Sequence, residues 1–242
     1  MGLVNKIATA ILAVLVILVL ILGYYGFVPG VSNIMGSNNP RNLGVSYTDS
    51  DLNSANTKTM IIINELSDTV PDSDSIAFSQ IQETSNTLTS SEVTALMNYH
   101  SDEWRNYPVE KIQVRIGSSG DVELSCVIRK DRLKGFADAM GYPEDIRAQV
   151  RPYINLVPVN PALYLEGSVE VDNGVVYLSL SKAELGRLSL PANYLSEGSM
   201  GLEAFFQDIL DRPEIGLSNV SFSNGDVYFE GIYPHSVSVA PP

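Results

Sequence analysis

The sequence predicts an α+β fold: an N-terminal transmembrane helix followed by a curved, mainly antiparallel sheet covered by amphipathic helices. Three observations carry that expectation. The run Ile7 to Leu22 is apolar apart from Thr9 and has no charge. Three strand pairs are organised around Gly-containing turns, and two helices with one apolar face each are stopped by a proline before a strand pair.

Extended through Val28, the apolar run reaches the ~20 residues that a helix rising ~1.5 Å per residue needs to cross the hydrocarbon of a bilayer. Lys6 precedes it and no Lys or Arg follows until Arg41, so the positive-inside rule places the amino terminus in the cytoplasm and the remainder outside. Tyr24, Tyr25 and Phe27 fall where an aromatic belt meets the outer headgroups. The run exceeds the ~7–15 residues of a cleaved signal core and no Ala-x-Ala site follows, which favours an uncleaved, single-pass signal anchor in the cell membrane over a secretory signal. Myristoylation is a poor substitute, because Lys6 stands where that signal needs Ser or Thr.

The expected organisation is an anchor over 1–28, a flexible linker over 29–42, an extracytoplasmic α+β domain over 43–234 and a loose tail over 235–242. Gly36-Ser37-Asn38-Asn39-Pro40 gives the linker few residues able to anchor a core, and the tail ends in Pro241-Pro242. The formal charge is −13, from 28 acidic and 15 basic residues. Phosphate binding needs clustered Lys and Arg, so a nucleic-acid partner is disfavoured. The single cysteine, Cys126, cannot form an intramolecular disulfide, and a domain of this size buries enough apolar surface to fold without one.

Along the domain, Thr48 or Asp49 caps a short helix to Asn56, followed by strands at Met60–Ile63 and around Ile76 to Gln80. Ser90 or Ser91 caps a helix to about Trp104 with Val93, Leu96, Met97, His100 and Trp104 on one face. The first strand pair alternates Ile112, Val114 and Ile116, turns at Gly117–Asp121, and returns through Val122, Leu124 and Cys126. Asp131 caps a helix ended by Gly141, and Pro143 starts another over Glu144 to about Arg151. The second pair turns at Asn173-Gly174, which supplies the positive φ angles of a tight hairpin, and the third turns at Asn224-Gly225. Leu202, Phe205, Phe206, Ile209 and Leu210 stand at i, i+3, i+4, i+7 and i+8 of a helix stopped by Pro213. The sequences Gly120-Asp121-Val122 and Gly225-Asp226-Val227 open the returning strands of the first and third pairs, which makes helix-plus-hairpin a candidate internal repeat.

Chemistry-bearing patterns are sparse. There is no Gly-x-Ser-x-Gly, His-Glu-x-x-His, phosphate-binding loop or dinucleotide fingerprint. Of the 2 histidines, His100 shares an apolar helical stripe and reads as structural, while His235 falls in the tail. Asp49/Asp51 and Asp72/Asp74 supply paired carboxylates without the turn glycine and distant glutamate of a calcium loop, so helix capping and loop solvation explain them better than a metal. No catalytic residue, cofactor or metal ligand is assigned. The stripe Leu202, Phe205, Phe206, Ile209 and Leu210 is the candidate apolar groove, although a core-facing helix produces the same spacing.

The anchor, the phrase Leu88-Thr89-Ser90-Ser91-Glu92-Val93-Thr94-Ala95-Leu96-Met97-Asn98 and the closing stretch Asn219 to Gly231 resemble the YpmS-like single-pass extracytoplasmic proteins of prokaryotes. That resemblance implies no catalytic activity, and its curved-sheet architecture suggests a distant relation to tubular lipid-binding domains, which hold acyl chains. The expected function is a non-enzymatic, membrane-anchored binding module of the cell envelope for a lipid or other apolar ligand. The alternative is a structural or assembly partner in an envelope protein complex.

Overall fold

The computed structural model describes residues 3–25, 28, 30–142, 144 and 160–242, with side chains from residue 13 onward. The helix expected over 144–151 lies outside the described residues. Helix α1 (Leu3–Tyr24) holds the apolar run, and Val14 to Leu22 expose 38–63% of their surface on all sides of it. Among the described residues no helix is long and apolar enough to cross a membrane.

The stretch expected as a linker carries α2 (Val31–Met35), which ends at Gly36 in the left-handed conformation. Then α3 (Asp49–Thr59) starts in a capping box: Thr48 caps it, and the Asp51 carboxylate accepts from the Thr48 backbone N–H at 2.7 Å. That bond and the Thr48 hydroxyl hold the Asp51 carboxyl below its ordinary pKa, so the Asp49/Asp51 pair serves a helix start. Strands β1 (Ile62–Glu65) and β2 (Ile76–Thr89) follow. Next comes α4 (Ser90–Glu103), capped by Thr89, one residue earlier than expected, because Glu92 at N3 completes a box with it. The remainder is β3 (Val109–Ile116), β4 (Val122–Ile128), α5 (Lys130–Ala139), β5 (Ala162–Asp172), β6 (Val175–Leu185), β7 (Leu188–Ser189), α6 (Ala192–Leu210), β8 (Gly216–Ser223) and β9 (Asp226–Val239).

The strands form one 9-stranded sheet, mainly antiparallel as expected, with the order β1-β9-β8-β5-β4-β3. Strand β9 binds β2 along one edge from Asp226 to Val239. Its other edge is shared between β8 and, in parallel register, β1. Strand β5 binds β6 on one side and is shared between β4 and β8 on the other, so Val171 and Asp172 join the two halves of the sheet. Bulges between Glu110 and Gln113, Glu166 and Gly167, and Leu217 and Asn219 bend three strands. The two Gly-Asp-Val turns touch: the Asn224 and Gly225 N–H groups donate to the Ser118 and Gly117 carbonyls.

The main core lies under α3 and α4, where Ala55, Leu96, Ile112, Val114, Cys126, Val227 and Phe229 meet. A second cluster joins Trp104 to Val237 and Val239. Residues 235–239, expected in a loose tail, are therefore the end of β9, and His235 faces Gln82 Oε1 at 3.1 Å across it. Their polar alternation hides a strand whose inward positions are valines.

Helix α4 seals the free edge of β3 with a ladder of side chains. Ile116 N–H donates to Ser90 Oγ at 3.0 Å, Val114 N–H to Thr94 Oγ1 at 3.0 Å, and Ile112 N–H to Asn98 Oδ1 at 3.0 Å. Asn98 Nδ2 returns a bond to the Ile112 carbonyl at 2.8 Å, and Ser101 Oγ donates to the Val109 carbonyl at 2.7 Å. Helix α6 does the same for β6, not for the hairpin that follows it: Leu180 N–H donates to Ser199 Oγ and Val176 N–H to Gln207 Oε1, both at 2.9 Å. The two helix-plus-hairpin units thus share chain order but differ in packing, since each helix goes to an exposed edge strand.

Candidate functional site

Pro191 precedes α6, whose start needs no N–H from it, and the helix then runs uninterrupted to Leu210. Ser199 and Gln207 point at β6, and this fixes the rotation of the helix. The stripe Leu202, Phe205, Phe206, Ile209 and Leu210 is thereby turned beside α5. Phe205 lies 6.3 Å from the Phe136 ring of α5, 6.2 Å from Tyr142 and 5.2 Å from Phe206. Trp104 stands 5.8 Å from Phe136, so aromatic contact runs from the second core out to Phe206. Arg212 Nη2 donates to the Met140 carbonyl at 2.8 Å and ties the two helix ends together.

No residue of α6 is fully buried, although its apolar face spans the whole helix. Phe206 stays 40% exposed, Tyr194 54% and Met200 61%. Spaced six residues apart, these three project in directions about 120° apart, and within the stripe Phe206 is exposed while Leu202, Phe205, Ile209 and Leu210 are half-buried.

Among the described residues, clefts lie elsewhere. One of about 430 Å³ opens where β5 leaves β4, lined by Ser119, Ser168, Glu170, Ser179, Glu203 and Ser221 among others. A second, of about 600 Å³, lies between α2 and β5–β6, and a third, of about 420 Å³, runs beside Ile17, Leu20, Ile21, Tyr24 and Tyr25. None of the five stripe residues lines any of the three.

The face of the sheet opposite the main core carries a polar assembly that sequence reasoning missed. Tyr164 of β5 brings its hydroxyl within 2.8 Å of Glu123 Oε2 and of Glu166 Oε2, and donates its one proton to them. Burial, together with those two carboxylates, pushes the Tyr164 phenol well above its ordinary pKa. Arg41 lies 3.9 Å over the Tyr164 ring and pairs with Glu184 at 2.6 Å, while Lys182 pairs with Glu184 at 3.1 Å. Arg115 pairs with Glu123. Leu43 is 5% exposed, and its N–H donates to Gln113 Oε1 at 2.8 Å. The chain from Pro40 to Leu43 is thus strapped across the back of the sheet. The alternating Tyr164/Glu166 and Lys182/Glu184 positions were the available signal, because their spacing puts them on one face.

The strap continues to α1. Ser37 Oγ donates to the Gly23 carbonyl at 2.9 Å, Arg187 Nη2 to the Met35 carbonyl at 2.7 Å, and the Arg187 guanidinium lies 4.7 Å over the Tyr24 ring. The residues expected as a spacer therefore seat the end of α1 on the β6–β7 turn.

Outside this assembly, His100, Cys126 and Asp72 have structural settings. Burial lowers the His100 pKa to about 4, and burial pushes the Cys126 thiol up to about 12, which leaves a neutral imidazole and an unreactive thiol. Asp72 accepts from Arg105 at 3.2 Å and from Asn106 at 3.0 Å in the loop before β2. Among the described residues, no group of three or more His, Cys, Asp or Glu side chains could hold a metal ion. Comparison with known proteins finds no matching family model, no matching curated protein and no matching solved structure.

Proposed function

We propose that this chain is a non-enzymatic, single-pass binding module of the cell envelope, anchored through Ile7 to Val28 with its amino terminus in the cytoplasm and its α+β domain outside. Its ligand is a lipid or comparable apolar molecule, laid along Leu202, Phe205, Phe206, Ile209 and Leu210. The carrying observation is that the apolar face of α6 has no fully buried residue while an aromatic series leads from the core out to it. Support for the anchor comes from the uncharged run and from the exposure of Val14 to Leu22 around the whole of α1. The YpmS-like resemblance and the suggested kinship with tubular lipid-binding domains agree with this reading.

The test is extraction of the full chain in mild detergent followed by mass spectrometry of what remains bound. Lipid retained by the natural chain and lost on joint Phe205→Ser and Phe206→Ser substitution is the expected result. Equal lipid on both proteins would overturn the site. Recovery of a stoichiometric envelope protein without lipid would replace ligand binding with an assembly role.

A further inference from the structure

The acidic residues are distributed unevenly. Residues 1–48 and 185–196 contain no Asp or Glu in a chain that carries 28 of them. Folding brings these two acid-free stretches together. Gly186 turns the chain at φ +64°, so close to α1 that a Cβ on it would stand 2.6 Å from the Tyr25 carbonyl oxygen. Next to it Arg187 covers the Tyr24 ring and holds the Met35 carbonyl. The β6–β7 turn is therefore level with the last turn of α1.

Near this point several large apolar side chains are exposed. Ile34 is 89% exposed, Leu188 41%, Leu190 37% and Tyr194 54%. These side chains come from α2, β7, the link to α6 and its first turn, and Arg187 stands among them. An aliphatic and tyrosine rim with a guanidinium, whose neighbouring carboxylate Glu184 is neutralised by Arg41 and Lys182, suits the boundary between acyl chains and anionic headgroups. Elsewhere the domain is strongly acidic, which would repel the same surface.

We propose that the domain docks edge-on to the outer leaflet of the membrane that holds α1, with Ile34, Leu188, Leu190 and Tyr194 entering the phospholipid headgroup region and Arg187 meeting phosphate. The occupant follows from continuity: the apolar surface of Val14 to Leu22 ends at Tyr24 and Tyr25, and the rim begins there. This rests on the reading that α1 crosses the bilayer. The strap through Ser37, Arg41 and Leu43 then fixes orientation, so the domain does not swing on a loose tether.

The full chain reconstituted in vesicles of phosphatidylcholine and phosphatidylglycerol tests this with single thiol-linked fluorophores. The native Cys126 is buried and will not take label. Probes are placed by L188C and L190C on the rim, by L18C on the anchor and by V175C at the far end of β6, roughly 30 Å away at ~3.3 Å per residue. Nitroxide lipids should quench the probes at 188, 190 and 18 several-fold more than the probe at 175, and aqueous iodide should do the reverse. If the probe at 18 is lipid-quenched while those at 188 and 190 behave like 175, the docking is overturned and the anchor stands. If the probe at 18 is also untouched by lipid quenchers, both fall. Joint Leu188→Asp and Leu190→Asp substitution should release a probe placed by Y194C to water. Unchanged lipid quenching at 194 would also count against the rim.

Discussion

Glu92 and His100 sit two turns apart on α4 and respond to acid by opposite chemistry. Burial alone would raise the Glu92 pKa, but hydrogen bonds from Lys58, Ser54 and the Thr89 N–H outweigh it and hold the carboxyl below 4.5. Its contribution is complete above the unfolded value and fades as pH falls through and below 4.5. Burial takes the His100 pKa down to about 4 from 6.5, so the unfolded chain accepts a proton that the folded one refuses. Stability should therefore begin to fall below about pH 6.5 and continue falling to about pH 4, before the carboxylates matter. Thermal melts from about pH 7 to about pH 5 should show a declining Tm for the natural chain and a flat one for His100→Gln. A parallel decline in both would mean that another group titrates there. Glu92→Ala removes the cap acceptor and the Lys58 pair together, and a loss of about 2–3 kcal/mol in urea unfolding is expected, from a lost cap and lost charged hydrogen bonds. At this scale the sequence was informative about identity and blind to partners. The i, i+3, i+4 spacing places Phe205 and Phe206 on one face of a helix, whereas Phe136 and Tyr142 reach that face from a distant stretch, through a fold that spacing does not encode.

Helices α4 and α6 solve the same problem in two environments. An open strand edge invites pairing with another chain, and both helices occupy it with short polar side chains at helical intervals. Along β3 the sealing groups are buried: Asn98 is 9% exposed, Thr94 0% and Ile112 2%. Asn98→Leu would strand both Ile112 backbone groups away from water, at an expected cost of about 2–4 kcal/mol. Ser199→Ala removes the Leu180 bond on β6, where both residues are only half-buried and water can replace the lost acceptor, so less than about 1 kcal/mol is expected. Matched urea titrations decide this, and equal losses would show that sealing is not what the α4 ladder contributes. The three hairpins were legible because their turns demand particular residues: Asn173 and Gly174 adopt φ values of 50° and 78°. Strand β2 was legible only from Ile76 to Gln80. Its remainder, Ile81 to Thr89, is a polar run whose extended form comes from pairing with β9, which is a tertiary cause.

At the scale of the whole molecule, the two ends of the chain hold what the middle depends on. Residues 29–42 read as a spacer because Gly, Ser and Asn build no core, yet Ser37 bonds the Gly23 carbonyl, Arg41 stacks on Tyr164, and Gln113 and Arg115 grip the backbone of Leu43 that follows. Local composition describes what a segment can do alone and omits what a sheet face does to it. The carboxyl end shows the same principle with larger consequences. Strand β9 is the common partner of β1, β2 and β8, and Val237, Val239 and Ala240 are 8%, 5% and 0% exposed. The Ala240 N–H donates to the Ser75 carbonyl at 2.8 Å, and the Arg105 N–H to the Ala240 carbonyl at 3.0 Å, which closes the loop that carries Asp72. A chain ending at Pro234 would lose β1's only strand partner among the described residues, the outer part of β2 and two of the buried residues around Trp104. Burial of two valines is worth about 3–6 kcal/mol before the lost ladder bonds are added. Against a typical total of about 5–15 kcal/mol, that is enough to unfold the domain. The truncated chain should therefore lose cooperative melting and Trp104 should shift to the red in fluorescence. Removing Pro241 and Pro242 alone should leave the melt within about 1 °C of the natural one, because a surface change away from buried contacts costs at most ~0.5 kcal/mol. A chain cut at Pro234 that melts like the natural protein would show that β9 beyond that point is an addition to the fold and not its closing strand.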